Sequence, residues 1–192
     1  MPIPQPTISV PIPPGPAPSP TGVAGVFIEH GCQSTAGGFW YFDHKLQGSP
    51  PAVYSYLLGR ATGEAAIWDP YVHEADADLL SAVRVPAVVR VLAAAKASEL
   101  QAFKTKADAC LAGVGASIAV RRADHLRGWR HHDRYLFVRT ADGPEAYMVG
   151  SSMEHHRRVL ASTSVLRIAE PMACELLWNR FEEFWKNASI LP

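Results

Sequence analysis

The sequence is poor in cysteine, carries no net charge and contains no long hydrophobic run. Its three cysteines, Cys32, Cys110 and Cys174, are widely spaced and include no C-x-x-C pair. This spacing excludes a disulfide framework and favours a reduced, cytoplasmic setting. No apolar stretch is long enough to span a bilayer, and the first residues lack the charged and apolar regions of a signal peptide. We therefore expect a cytoplasmic protein without a membrane partner.

The charges balance over the whole chain but are unevenly distributed. Lysine plus arginine and aspartate plus glutamate number 18 each, so net charge does not draw the molecule to nucleic acid. Positions 121 to 158 nevertheless concentrate arginines and histidines, namely Arg121, Arg122, Arg127, Arg130, Arg134, Arg139, Arg157, Arg158, His125, His131, His132, His155 and His156. This segment is either a basic patch for a polyanion or a solvated face.

The length of 192 residues, with 48% hydrophobic and 19% charged residues, is ordinary for one globular domain with its own core. Proline dominates residues 1–21, which excludes a helix or a central strand there. We expect this segment to be an extended or disordered tail and residues 22–192 to form a single domain. The tail is either a docking arm for a partner protein or sister subunit, or a disordered leader.

Apolar strands alternate with amphipathic helices along the domain. Strands are predicted at 25–28, 37–42, 65–68, 87–93, 117–120, 132–138, 146–149 and 164–168, and helices at 74–83, at 98–114, from 50 to Gly59 or Gly63, and from 171 onward. This alternation predicts an α/β fold in which helices sandwich a mixed β-sheet. The turn at Ala141-Asp142-Gly143 makes part of that sheet antiparallel.

Two helices have apolar residues at three- and four-residue spacing, which predicts the face that each one buries. On the helix at 98–114 this stripe includes Cys110, which we expect in the core. On the final helix the apolar residues are Met172, Leu176, Leu177, Phe181, Phe184 and Trp185.

One pair of segments is the most informative for function. His132-Asp133-Arg134 heads an apolar strand, and the strand after the turn ends in Gly-Ser-Ser. Because residues i and i+2 of a strand project to the same face, we expect His132 and Arg134 side by side, with Asp133 on the other face. The hairpin returns small residues, with hydroxyls and a free backbone N–H, towards this pair. Such a pocket suits a phosphate. The returning residues are Gly150, Ser151 and Ser152.

This arrangement resembles the phospholipase D superfamily, whose signature is His-x-Lys, an Asp five residues after the Lys, and a Gly-Ser element. It is most similar to compact phospholipase D-like domains that read His-Asp-Arg-aromatic-aliphatic and Gly-Ser-Ser. The run from Ile67 to Val72 is similar to the apolar-Trp-Asp-Pro-Tyr strand end of those domains, and 87–92 is similar to their next strand. The resemblance covers about residues 50–190 and implies a phospholipase D-like fold. Its motifs are short, and their order is the stronger signal.

The sequence departs from the family pattern at three positions. Arg134 stands where the catalytic Lys is expected, Arg139 where the Asp is expected, and Met153 where an Asn often follows Gly-Ser. An arginine can replace lysine as a phosphate clamp. Loss of the Asp is more serious, because an orienting carboxylate fixes the imidazole tautomer and supports the imidazolium. The carboxylates that could substitute are Asp69, Asp133 and Asp142.

The chemistry of the family uses two histidines. One His attacks the phosphodiester and forms a phospho-histidine, while the second protonates the leaving group. The resemblance thus implies that His132 is the nucleophile, that Arg134 holds the phosphate, and that no cofactor or metal is required. Because one copy of the motif is visible, an active site would require a homodimer in which each chain contributes His132.

Three functions remain open at this point. The first is a homodimeric, metal-independent phosphodiesterase or nuclease. The second is an inactive module that binds nucleic acid or a partner protein, as the resemblance implies for domains of bacterial defence and mobile elements. The third is a structural subunit docked through the proline-rich tail. The arginine-rich segment favours nucleic acid over lipid. Five histidines between His125 and His156 could include metal ligands, but no H-E-x-x-H or H-x-H pattern is present, so we predict no metal site.

Overall fold

The computed structural model describes residues 32–35, 38–42, 50–84, 87–123, 133–151, 153 and 163–191. The elements in these residues are, in chain order, β1 (Cys32–Thr35), β2 (Phe39–Phe42), α1 (Pro50–Gly59), β3 (Glu64–Trp68), a 3₁₀ helix (Glu74–Ala82), β4 (Val88–Ala93), α2 (Ala97–Ala112), β5 (Ser117–Arg122), β6 (Arg134–Thr140), β7 (Gly143–Val149), β8 (Thr163–Arg167), α3 (Pro171–Asn187) and β9 (Ser189–Ile190). The proline-rich tail and the strand predicted at 25–28 lie outside the described residues, so the division into tail and domain stays a prediction.

The described strands form one mixed sheet in the order β1-β2-β8-β7-β6-β3-β4-β5-β9. β3, β4 and β5 are parallel neighbours, while β6 pairs antiparallel with both β3 and β7. The 3₁₀ helix and α2 supply the crossovers that parallel strands need. The predicted α/β fold with a mixed sheet between helices is therefore confirmed.

Helices cover both faces of the sheet. Because neighbouring residues of each strand point to opposite faces, they join different cores. Ile67 of β3 joins the core formed with α1, the 3₁₀ helix and α2. Trp68, the next residue, joins a second core formed with α3. Complete burial of a large apolar side chain such as Phe103 or Phe181 stabilises the fold by about 1.5–3 kcal/mol each.

The apolar spacing of α2 is realised as predicted, with one exception. Leu100, Phe103, Ala107 and Leu111 are fully buried, as residues three or four apart on a helix should be when one face is covered. Cys110 was expected in the core but is only half-buried. The reason is that Cys110 directly precedes Leu111, about 100° away around the helix.

α3 buries three of the predicted residues, Phe181, Phe184 and Trp185, and differs from the prediction in its first two turns. Its buried stripe contains Cys174, Trp178, Phe181 and Trp185, whereas Met172 and Leu176 are 76% and 69% exposed. Cys174 and Trp178 lie on the same helical face as Phe181 and Trp185, so burying this face removes more apolar surface from water than burying Met172 and Leu176. Glu170 fixes the start of the helix by accepting hydrogen bonds from the backbone N–H groups of Met172 and Ala173.

Three smaller differences concern local structure. The segment predicted as an α-helix at 74–83 is a 3₁₀ helix. β1 and β9 were not predicted, and they are only four and two residues long.

In the part of the chain that the structure describes, no helix is both long and apolar enough to cross a bilayer.

Candidate functional site

Three of the predicted site residues lie at the ends of three adjacent strands. Trp68 pairs with Tyr135, and Arg134 pairs with Val149. The residue after β3, the first residue of β6 and the residue after β7 therefore meet at one edge of the sheet. These are Asp69, Arg134 and Gly150. This edge carries the carboxyl ends of the parallel strands, where open α/β sheets bind ligands.

Asp69 is buried at this edge and joins two loops. Its side chain is 1% exposed. Oδ1 accepts a hydrogen bond from the backbone N–H of Tyr71 at 2.9 Å, and Oδ2 accepts one from the backbone N–H of Met153 at 2.8 Å. The carboxylate thus fixes the turn after β3 and the segment that follows Gly150 and Ser151.

Arg134 lies between Asp69 and an aromatic ring. Its Nε is 3.5 Å from Asp69 Oδ1, and the side chain is 16% exposed. Its guanidinium carbon is 5.4 Å from the centre of the Tyr71 ring, within the range of a cation–π contact. The guanidinium is therefore held between these two groups, and a small part of the side chain is open to solvent.

A second buried carboxylate lies near Asp69. Asp76 is 0% exposed and accepts a hydrogen bond from the backbone N–H of His73 at 2.8 Å. The pKa of Asp69 is raised to about 6: burial is the main cause, the charge of Asp76 acts in the same direction, and the Tyr71 and Met153 amides and Arg134 act against both. Burial also raises the pKa of the Tyr54 hydroxyl, and the charges of Asp69 and Asp76 act in the same direction.

The Gly-Ser element takes part in the hydrogen bonding of the sheet, which was not predicted. Gly150 donates its backbone N–H to the carbonyl of Ser164 at 2.8 Å. This N–H continues the pairing of β7 with β8 and is not free for a phosphate, while a free backbone N–H elsewhere in the Gly-Ser-Ser run stays a prediction. Ser151 donates its hydroxyl to the Thr163 hydroxyl at 2.9 Å. Its role as a phosphate ligand stays a prediction.

Two predicted site residues, His132 and Ser152, lie outside the described residues. Asp133 is exposed immediately before β6. Asp142 lies in the turn between β6 and β7, at the opposite end of the hairpin from Arg134. Of the three carboxylates considered as substitutes for the missing family Asp, Asp69 is the one that forms an ion pair with Arg134.

Arg139 belongs to a different part of the molecule. Its Nε lies 2.8 Å from Glu64 Oε2, and its guanidinium carbon is 4.8 Å from the centre of the Trp178 ring. It therefore packs against α3, on the face of β6 opposite to Arg134, because the two residues are an odd number of positions apart.

Sequence reasoning missed several groups of this site. Neither Tyr54 nor Asp76 was predicted as a site residue. Both side chains are buried. The Met153 amide carries no sequence signal at all. Among the described residues, no group of three His, Cys, Asp or Glu side chains is placed to hold a metal ion.

No protein-family model and no curated protein matches the chain significantly. The solved structures that are similar to it include the following two. TrmBL2, an archaeal chromatin protein described as showing a novel mode of DNA binding, is 14% identical, with a TM-score of 0.50 over 82% of this chain. Polyphosphate kinase from Porphyromonas gingivalis is 12% identical, with a TM-score of 0.48 over 76% of this chain. The chain spans 56% of the first protein and 25% of the second. At 14% identity the likeness to TrmBL2 concerns the fold alone.

Proposed function

We propose that this protein is a phospholipase D-like domain that binds the phosphodiester backbone of a nucleic acid, with Arg134 as the phosphate ligand. The observation that carries the proposal is the position of Arg134. It starts β6 beside the carboxyl end of β3, and Asp69 and the Tyr71 ring orient its guanidinium. A planar guanidinium at a partly exposed rim suits the geometry of a phosphate.

Nucleic acid is favoured over lipid for two reasons. The arginine-rich segment at positions 121 to 158 places further positive charge near Arg134 in the sequence, and contacts with several phosphates dominate nucleic-acid affinity. The fold is also similar to that of a chromatin protein described as DNA-binding, which is compatible with this ligand.

A second candidate is a homodimeric phosphodiesterase in which His132 of each chain acts on one shared phosphate. One observation favours it. Asp69 brings a carboxylate to Arg134, so the loss of the family Asp at the position of Arg139 does not leave the site without an acidic group. In this candidate Asp69 would be a positioning residue rather than the nucleophile.

The binding proposal is tested by titrating labelled oligonucleotides with wild-type protein, Arg134→Gln and Arg134→Lys in EDTA. We expect Arg134→Gln to weaken binding roughly tenfold and to reduce the slope of log affinity against log salt by about 1. Arg134→Lys, which restores the family residue, should bind within about threefold of wild type, since lysine also serves as a phosphate ligand. Arg84→Gln is the matched control, because Arg84 is an exposed arginine after the 3₁₀ helix.

Unchanged affinity and salt slope in Arg134→Gln, with the variant folded by circular dichroism, would reject the binding proposal.

The same samples test the second candidate. A dimer by light scattering that cleaves the oligonucleotide, with cleavage lost in His132→Ala, would establish the phosphodiesterase. Binding without cleavage would reject it.

A further inference from the structure

We infer that the ligand is a single-stranded nucleic acid, and that Tyr71 stacks on an unpaired base next to the phosphate held by Arg134. This inference rests on the proposed function and adds the class of nucleic acid to it. Tyr71 is 51% exposed, and among the side chains that the structure describes it is the most exposed aromatic. It lies beside Asp69, which is 1% exposed.

The position of Tyr71 is fixed by its backbone. Its N–H donates to Asp69 Oδ1 at 2.9 Å, and the preceding residue, Pro70, is buried and restricts the chain. With the backbone fixed, only the side-chain torsions of Tyr71 have to be ordered when a ligand binds, which lowers the cost of ordering the complex. The backbone therefore places Tyr71 next to Arg134 before any ligand arrives.

Because Arg134 lies next to Tyr71, a phosphate bound to Arg134 would lie close to a base stacked on the Tyr71 ring. The guanidinium carbon of Arg134 is 5.4 Å from the centre of the Tyr71 ring. A phosphate on Arg134 would place an adjacent nucleotide within reach of the exposed part of that ring. Aromatic side chains beside a basic groove are how proteins bind single strands, because every base offers a π-face.

The Tyr71 ring also discriminates between ligands that carry a phosphate group. A base inside a duplex is stacked on its neighbours and has no free face for Tyr71, and extruding it costs free energy. A lipid headgroup or a free phosphate has no base at all. Tyr71 therefore favours a single strand over a duplex, a lipid or inorganic phosphate.

The experiment compares three probes on the full chain in EDTA: labelled single-stranded oligodeoxythymidine, a strand of the same length made of abasic sites, and a duplex. We expect wild-type protein to bind the thymidine strand roughly tenfold more tightly than the abasic strand. Tyr71→Ala should lose this preference while keeping its affinity for the abasic strand. Tyr71→Phe should keep the preference, because the ring remains. Leu176→Ala is the control, since Leu176 is exposed on α3 and outside the site.

Equal affinity of wild type for the thymidine and abasic strands, or an equal loss for both in Tyr71→Ala, would overturn the inference. A preference for the duplex over the single strand would overturn it as well. These failures are distinguishable from failure of the proposed function. If binding of the abasic strand depends on Arg134, the phosphate site stands and only the stacking role of Tyr71 is lost.

Discussion

The Nε atom of Arg134 lies 3.5 Å from Oδ1 of Asp69, an ion pair between the first residue of an antiparallel strand and the residue that follows a parallel one. Asp69 is 1% exposed, so its charge has lost most of its contact with water. Arg134 and the two backbone amides offset only part of that cost, because burial still raises the pKa of Asp69 to about 6.

This pKa gives the protein a defined pH dependence of stability. The pKa of Asp69 rises from 3.8 to about 6 on folding, so between these values the native state holds more protons than the unfolded state. The free energy of unfolding therefore falls as pH rises from about 4 to about 6, by up to about 3 kcal/mol from this group. Above pH 6 the contribution is fully lost, and below pH 4 it is fully present.

Urea unfolding of wild type and Asp69→Asn across this pH range measures the effect. Other carboxylates titrate in the same range, so the readout is the difference between the two proteins. We expect wild type to lose stability relative to Asp69→Asn as pH rises through the window. A difference that stays constant would show that Asp69 has an ordinary pKa.

The helices and strands of this fold could largely be predicted from the sequence, whereas the pairing between the strands could not. Apolar spacing placed α2 within two residues of its ends, because a helix with one covered face must repeat every three or four residues. Asp69 and Arg134 were named as candidates, but their contact depends on β6 pairing with β3, and no local signal encodes that strand order. The role of Asp76 was missed for the same reason.

The side of α3 that faces the sheet is tested by two truncations on one helix. Phe181 is 0% exposed and packs on Trp68 and Phe137, while Leu176 is 69% exposed. Phe181→Ala should lower the free energy of unfolding by about 3–5 kcal/mol, because it opens a cavity under the helix. Leu176→Ala should change it by less than about 0.5 kcal/mol. Similar losses in the two variants, measured by urea unfolding, would contradict the orientation.

The buried carboxylate of Glu145 gives a third prediction. Glu145 is 6% exposed and accepts hydrogen bonds from Arg60 at 3.1 Å, Arg167 at 2.9 Å and the Tyr147 hydroxyl at 2.6 Å. Replacing it by Gln removes the charge and one acceptor oxygen. We expect a loss of about 2 kcal/mol, below the usual value for a buried pair because both arginines are partly exposed.

The matched control for Glu145→Gln is Glu183→Gln. Glu183 pairs with Arg180 on the outer side of α3, and both side chains are largely exposed. This substitution should cost less than about 0.5 kcal/mol. Urea unfolding at neutral pH measures both variants, and equal costs would mean that the Glu145 cluster contributes no more than a surface pair.

The hairpin that joins the two halves of the site depends on one glycine. Gly143 has φ +123°, a conformation that side chains with a Cβ rarely adopt, although no neighbouring atom lies within 4 Å of a Cβ added there. Gly143→Ala should therefore destabilise the protein by about 2 kcal/mol through backbone strain alone.

Gly63→Ala is the control, because Gly63 also has open space around it and no positive φ. It should leave stability unchanged or raise it by about 0.5 kcal/mol. Because the same hairpin pairs Arg134 with Val149 at the end of β7, Gly143→Ala should weaken oligonucleotide binding as well. Wild-type stability in Gly143→Ala would show that the turn accepts an ordinary residue, and that the register of β6 and β7 is set by strand pairing alone.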